Sequence, residues 1–126
     1  VEAPEHLLAR PYLRPIYDEP EFVVQNLWRL WGGWWDGDPS SLKPAAPDTL
    51  AAEIAALAGG ASVLIERATT LSEAGDHRLA CHLAEMATRA SNDPAIRKRR
   101  GEIYAKRAET ERSLMARSIF RAASED

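Results

Sequence analysis

Apolar residues recur at intervals of three and four along most of this 126-residue chain, which is the spacing of one face of an α-helix. Five segments carry the pattern, and each is bounded by glycine, proline or an aspartate placed to cap a helix. These segments begin near Asp18, Pro47, Val63, Asp76 and Asp93. No stretch alternates convincingly at the two-residue period of a β-strand. The sequence therefore predicts an all-α fold with about five helices.

The first and last predicted helices carry clear local signals at their starts. Asp18 is expected to cap the first helix, with Pro20 in its first turn and Glu21 completing a capping box. The last helix is expected to be capped at Asp93 and to continue without a break to about residue 123.

Residues 1–19 are predicted to form an arm and not a long helix, because prolines stand at positions 4, 11 and 15. The arm is also too apolar for a free tail, so we expect it to lie along a partner surface. Residues 1–4 include neither an initiator methionine nor a signal-peptide pattern. We therefore interpret residues 1–126 as one helical domain excised from a larger protein.

Residues 61–110 are typical of a tetratricopeptide-like array of antiparallel helices. Ala80, Ala84 and Ala87 are small enough to let two helices approach closely. Only about one and a half repeat units are present, which favours repeat-like packing over a peptide-binding superhelix. A tetratricopeptide-like peptide-binding adaptor nevertheless stays open as an alternative function.

Composition indicates an ordinary globular domain, with 45% hydrophobic and 28% charged residues. The net charge of −3 gives no general reason to expect a nucleic-acid partner. No apolar run approaches the roughly 20 residues of a membrane span, so no membrane partner is expected. Cys81 is the single cysteine, which excludes an intrachain disulfide and leaves the compartment open.

The residues that most often carry chemistry are not arranged for it in this sequence. The three histidines form no zinc-binding motif, no serine lies in a nucleophile elbow, and no glycine-rich loop follows a strand. Asp36 and Asp38 lie on a loop, where stabilising that loop is favoured over binding a cation. We therefore expect neither catalysis nor a metal site from this chain alone.

All four tryptophans fall within eight residues, and they are the most informative feature of the sequence. Three interpretations stay open: the core of this small domain, a subunit interface, or the wall of an apolar substrate cleft. The cleft candidates are Trp31, Trp34, Trp35 and Asp36. The interface candidates are Tyr12, Tyr17, Phe22 and Trp28.

Two runs in the first third of the chain resemble the signature of the alkyl sulfatases. Residues 10–18 read Arg-Pro-Tyr-Leu-Arg-Pro-Ile-Tyr-Asp, and residues 26–39 read Asn-Leu-Trp-Arg-Leu-Trp-Gly-Gly-Trp-Trp-Asp-Gly-Asp-Pro. Members of the family carry an aromatic residue and then Gly-Trp-aromatic-Asp-Gly-Asn/Asp-Pro. The similarity continues in order through residues 42–44, 74–76 and 113–116, and so covers essentially the whole chain.

This resemblance implies a homodimerisation module of a zinc-dependent, alkyl sulfatase-like hydrolase of bacteria. Whether that hydrolase lies in the cytoplasm or the periplasm stays open. In that family a preceding metallo-β-lactamase-like domain binds two zinc ions and hydrolyses alkyl sulfate esters such as dodecyl sulfate. The implied partners are a second copy and that missing catalytic domain, and the helical module is not catalytic by itself.

The resemblance also implies a place for the tryptophan-rich loop. Trp31 stands where some family members have a tyrosine that approaches the sulfate, which would put the loop from Trp31 to Pro39 at the active-site mouth. Tryptophan has no phenol but keeps one N–H donor. This departure leaves the substrate of the parent enzyme open.

Overall fold

The computed structural model describes residues 3–125, and within them the chain forms eight α-helices and one 3-10 turn. In chain order the helices are α1 Glu5–Leu8, α2 Pro20–Gly32, α3 Pro39–Leu42, α4 Pro47–Ala58, α5 Ala61–Glu73, α6 His77–Ala90, α7 Pro94–Thr110 and α8 Leu114–Glu125. The 3-10 turn Pro11–Leu13 lies between α1 and α2. These described residues include no strand, so the predicted all-α class is confirmed.

The prediction of about five helices is wrong. Two of the additional helices, α1 and α3, are single turns, which need no repeating apolar stripe and so leave no periodic signal. The third arises because the last predicted helix is interrupted after Thr110. The buried side chain of Ser113 accepts a hydrogen bond from the backbone N–H of Ala116 (3.1 Å), which starts α8 as a separate helix.

The predicted cap of α2 is also wrong. This helix begins at Pro20, and the residue at its N-cap is Glu19 and not Asp18. The carboxylate of Asp18 instead accepts a hydrogen bond from the backbone N–H of Glu19 (2.9 Å), which lies before the helix. Gly33 follows the helix with a φ of 88°, a conformation that favours glycine and ends α2 where the sequence predicts.

The chain packs as two compact units. The first contains the described residues up to Pro44 together with Glu111–Ala116, and the second contains Ala45–Thr110 with the residues from Arg117 onward. Val1 and Glu2 of the predicted arm, and Asp126 at the other end, lie outside the described residues.

Helices α4 to α7 of the second unit pack around a core of alanines and aliphatic side chains. Each helix contacts the next one along the chain, α4 also contacts α6, and α5 also contacts α7. Ala80, Ala84 and Ala87 of α6 are completely buried, as expected for the small residues that allow helices to approach closely. The tetratricopeptide-like arrangement stays a prediction.

The end of α8 packs against α7 within the second unit. The rings of Tyr104 and Phe120 stack with centroids 5.9 Å apart, and the guanidinium of Arg100 donates to the carbonyl oxygen of Ala123 (2.8 Å). A positive side chain on these last carbonyls stabilises the C-terminus of a helix. A Cβ atom added to Gly101 would lie only 2.7 Å from the carbonyl oxygen of Ser124. Gly101 is therefore the residue that permits this close approach.

No single helix in the described part of the chain is long and apolar enough to cross a membrane. Helices α4 and α5 reach the length and apolar composition of a membrane span only when they are counted together, and the chain bends by 86° between them.

Replacing Gly101 by alanine should destabilise the protein, although alanine is the better helix former by about 1 kcal/mol. The added methyl group meets a backbone atom that is held by α8, and such overpacking costs about 1–3 kcal/mol. We expect the clash to dominate and to lower the free energy of unfolding by up to about 2 kcal/mol in urea denaturation followed by circular dichroism. In a chain that ends at Ala123 the same substitution should be neutral or stabilising. Stabilisation in the complete chain would contradict this assignment.

Candidate functional site

The apolar residues of α2 lie at the surface of the first unit. Trp28 and Trp31 are 62% and 82% exposed. The aliphatic residues of the same helix are exposed as well, namely Val23, Val24, Leu27 and Leu30. Phe22 is half-buried. Within the described residues of this unit only Ser113 and Ala116 are buried. The first unit therefore has almost no core of its own.

The four tryptophans do not form the core of this chain, because all of them are exposed. Trp34 is 72% exposed and Trp35, the least exposed of the four, is 42% exposed. A tryptophan in a domain core would be largely covered by neighbouring side chains. The core interpretation is therefore excluded, while the interface and cleft interpretations both require the exposure that is observed.

The loop after α2 is held by hydrogen bonds among its own residues. One carboxylate oxygen of Asp36 accepts from the backbone N–H of Asp38 (2.9 Å), and the other accepts from the hydroxyl of Ser41 (3.0 Å). The indole N–H of Trp35 donates to the carbonyl oxygen of Asp38 (2.8 Å). Asp36 thus stabilises the loop, the role that the sequence analysis favoured for it.

Asp38 begins the single-turn helix α3. Its carboxylate accepts a hydrogen bond from the backbone N–H of Ser40 (2.8 Å). Hydrogen bonds from the backbone and then from the side chain of Ser40 lower the pKa of this carboxyl, because they stabilise its charged form. Together with the Asp36 contacts, this cap gives the loop a defined shape without help from a core.

The structure separates the four cleft candidates into two groups. Trp35 and Asp36 are parts of the hydrogen-bonded loop, whereas Trp31 ends α2 and Trp34 begins the loop with most of its surface exposed. Trp31 and Trp34 are thus the members that present large apolar surfaces.

The arm contributes a contact that the sequence analysis missed. The backbone carbonyls of Ile16 and Tyr17 accept hydrogen bonds from the N–H groups of Leu114 (2.7 Å) and Met115 (3.1 Å). The first N–H groups of a helix have no partner within the helix, so the arm caps α8 with its main chain. The side chains of Tyr12 and Tyr17 remain exposed, at 75% and 66%. Main-chain capping leaves no side-chain pattern by which a sequence reveals it.

The described part of the chain brings no three histidine, cysteine, aspartate or glutamate side chains together in an arrangement suited to a metal ion. The hydroxyl of Ser72 lies 3.4 Å from Nδ1 of His77, and Cys81 packs partly buried against the core of the second unit. These contacts belong to the packing of α5 and α6.

An exposed apolar helix followed by an aromatic loop with internal hydrogen bonds is typical of the class of helical interaction modules. The whole chain, residues 1–126, matches the family described as alkyl sulfatase dimerisation. The chain belongs to this family, and the resemblance stated from its sequence motifs is confirmed.

A curated relative agrees with this assignment. The chain is 32% identical over 97 residues to the linear primary-alkylsulfatase of Pseudomonas sp. (strain ATCC 19151). The matched region covers 76% of this chain and 18% of that relative. The chain therefore spans less than a fifth of the relative's length.

The carboxyl of Asp38 should titrate below the usual range of aspartate. Because its folded-state pKa is lowered, its contribution to loop order should be present above the ordinary aspartate pKa and be lost as the pH falls through the lower value. The amide resonance of Ser40 should report this transition in NMR spectra recorded from pH 6 downward, and Asp38→Asn should abolish it. A midpoint at or above the ordinary aspartate value would refute the hydrogen-bonded loop.

Proposed function

We propose that this chain is the homodimerisation module of a zinc-dependent, alkyl sulfatase-like hydrolase and that it is not catalytic alone. The observation that carries the proposal is the uncovered apolar surface of the first unit. Its exposed large apolar residues are Tyr12, Leu13, Ile16, Tyr17, Val23, Val24, Leu27, Trp28, Leu30, Trp31, Trp34, Trp35, Leu42 and Leu114. So many exposed large apolar residues on one unit are typical of a surface that contacts another protein.

The energetics of this surface favour association. Covering one large apolar side chain contributes about 1.5–3 kcal/mol. Covering about six such residues would therefore contribute roughly 9–18 kcal/mol, which is comparable with the roughly 4–15 kcal/mol that two molecules lose in translational and rotational freedom on binding. The family to which the chain belongs is described by dimerisation, which supports a second copy as the partner.

The chemistry of the longer protein is assigned to residues outside this chain. The resemblance to the alkyl sulfatases supports two zinc ions in a preceding metallo-β-lactamase-like domain, and the described side chains of this chain form no group suited to a metal ion. The relative named as a linear primary-alkylsulfatase supports sulfate ester hydrolysis as the activity of the longer protein. No step of that reaction is assigned to residues of this chain.

The loop from Trp31 to Pro39 is proposed to border the active-site mouth of the longer protein. The carboxylate of Asp36 and the indole of Trp35 form hydrogen bonds with neighbouring residues of the same segment, which hold the loop in one shape. A loop held in this way presents its other side chains in a defined position. Trp34 then offers its exposed ring to the alkyl chain of a substrate, while Asp36 holds the loop in shape.

The isolated chain should be a homodimer at micromolar concentration. Light scattering coupled to size-exclusion chromatography should give the mass of two chains, because a second copy would bury the exposed apolar surface of the first unit. A single-chain mass throughout the micromolar range would contradict the proposal and favour the peptide-binding adaptor.

In the longer enzyme, Trp34→Ala should lower turnover of an alkyl sulfate about tenfold or more, which corresponds to about 1.4 kcal/mol. Its thermal stability should change little, since the ring is already 72% exposed. Leu57→Ala is a matched control, because Leu57 is an apolar residue of α4 that is also largely exposed, at 82%. If Trp34→Ala melts early and keeps normal turnover below its melting temperature, the loop is structural and not part of the mouth.

A further inference from the structure

Helix α2 carries an uncharged apolar face that is exposed along its whole length. At 100° per residue, six of its side chains fall within an arc of about 160°. These residues are Val23, Val24, Leu27, Trp28, Leu30 and Trp31, and each is more than two-fifths exposed. The polar residues Glu21, Gln25, Asn26 and Arg29 lie on the remaining side of the helix. This apolar face is the largest regular surface that the first unit presents.

The small side chains of this face lie in its N-terminal half and the large ones in its C-terminal half. The N-terminal half carries the two valines, Leu27 stands in the middle, and the C-terminal half carries Trp28, Leu30 and Trp31. Trp28 lies at the edge of the arc, and its symmetric position about Leu27 is the polar Asn26. Residues 23 and 31, and residues 24 and 30, are placed symmetrically about position 27. Each symmetric pair joins a small side chain with a large one, so the face is complementary to itself when it is turned end over end.

We propose that two copies of this chain pair through α2, antiparallel and across a two-fold axis at Leu27. Val23 then packs against the partner's Trp31, and Val24 packs against the partner's Leu30. In this arrangement Trp31 belongs to the dimer contact, and Trp34 is the aromatic residue that the loop offers to the active-site mouth. A two-fold contact of this kind uses the same surface on both copies and closes without further subunits. The inference rests on the proposed function and names the surface through which the dimer forms.

Antiparallel pairing is favoured over parallel pairing by packing and by charge. A parallel pair would set tryptophan against tryptophan at one end and valine against valine at the other, which leaves a gap between the valines. The antiparallel arrangement fills both ends equally and also places the helix dipoles in their favourable relative orientation. Glu21 and Arg29 stay outside the contact in either case.

The area of the face suits a stable dimer. Taking about 150–250 Å² for each aromatic side chain and somewhat less for each aliphatic one, the exposed part of the six residues amounts to roughly 700 Å². Standard protein interfaces bury about 800 Å² on each partner. The helix pair alone therefore approaches the area of a specific interface, and the exposed arm adjoins α2 in the sequence.

Opposite charges introduced at Leu27 test the two-fold axis directly. Leu27 is 50% exposed in one copy, so we expect the fold to tolerate Leu27→Glu and Leu27→Lys. Each variant alone would place like charges together at the axis, and we expect the dimer dissociation constant to rise about 100-fold or more. A 1:1 mixture of the two variants should recover the two-chain mass. Gln25→Glu and Gln25→Lys, on the polar side of the same helix, should leave the dimer intact.

The outcomes separate this inference from the proposed function. A wild-type dimer that both Leu27 variants retain, or a mixture that fails to restore association, would overturn the α2 contact while homodimerisation stands. A wild-type monomer would overturn both. If the charged variants do not fold, Leu27→Cys in a Cys81→Ser background should form an intermolecular disulfide under mild oxidation, and Gln25→Cys should not. Cross-linking at position 25 and not at position 27 would overturn the proposed pairing.

Discussion

An amphipathic helix must bury its apolar face against another element, and the first unit offers α2 no element large enough to do so. Its other helices are the single turns α1 and α3 and the first residues of α8. A thirteen-residue helix with an apolar arc therefore stays uncovered within one chain. The exposure of the tryptophans and the family's described role in dimerisation both agree with this constraint.

The arm shows how an irregular segment is held in place without a core. Prolines prevent a long helix, and the main-chain carbonyls at positions 16 and 17 are used to cap α8. Such bonds fix the path of the backbone without using the side chains at positions 16 and 17. Tyr12 and Tyr17 are exposed, so the arm presents aromatic surface.

Periodicity and caps predicted the second unit well, because its apolar faces are covered by its own helices. Asp93 caps α7 through the N–H of Ala95 (2.8 Å), and Asp76 accepts from the N–H of Leu79 (3.4 Å), both at the boundaries expected from sequence. The break before α8 was missed, since its apolar stripe continues through the interruption. The fate of the tryptophans was left open for a different reason. The apolar residues of a helix have the same spacing whether they are buried by the same chain or by another molecule.

We infer that the two units separate folding from association. The second unit holds the core of buried aliphatic side chains and alanines, whereas the first holds most of the exposed aromatic surface. Substitutions in the core, such as at Ala84, therefore act mainly on the free energy of unfolding. Substitutions on the exposed face of α2 remove few contacts within one chain and act mainly on binding. The exposed residues of the candidate site can therefore be substituted without loss of the fold. This would not hold if the tryptophans formed a core.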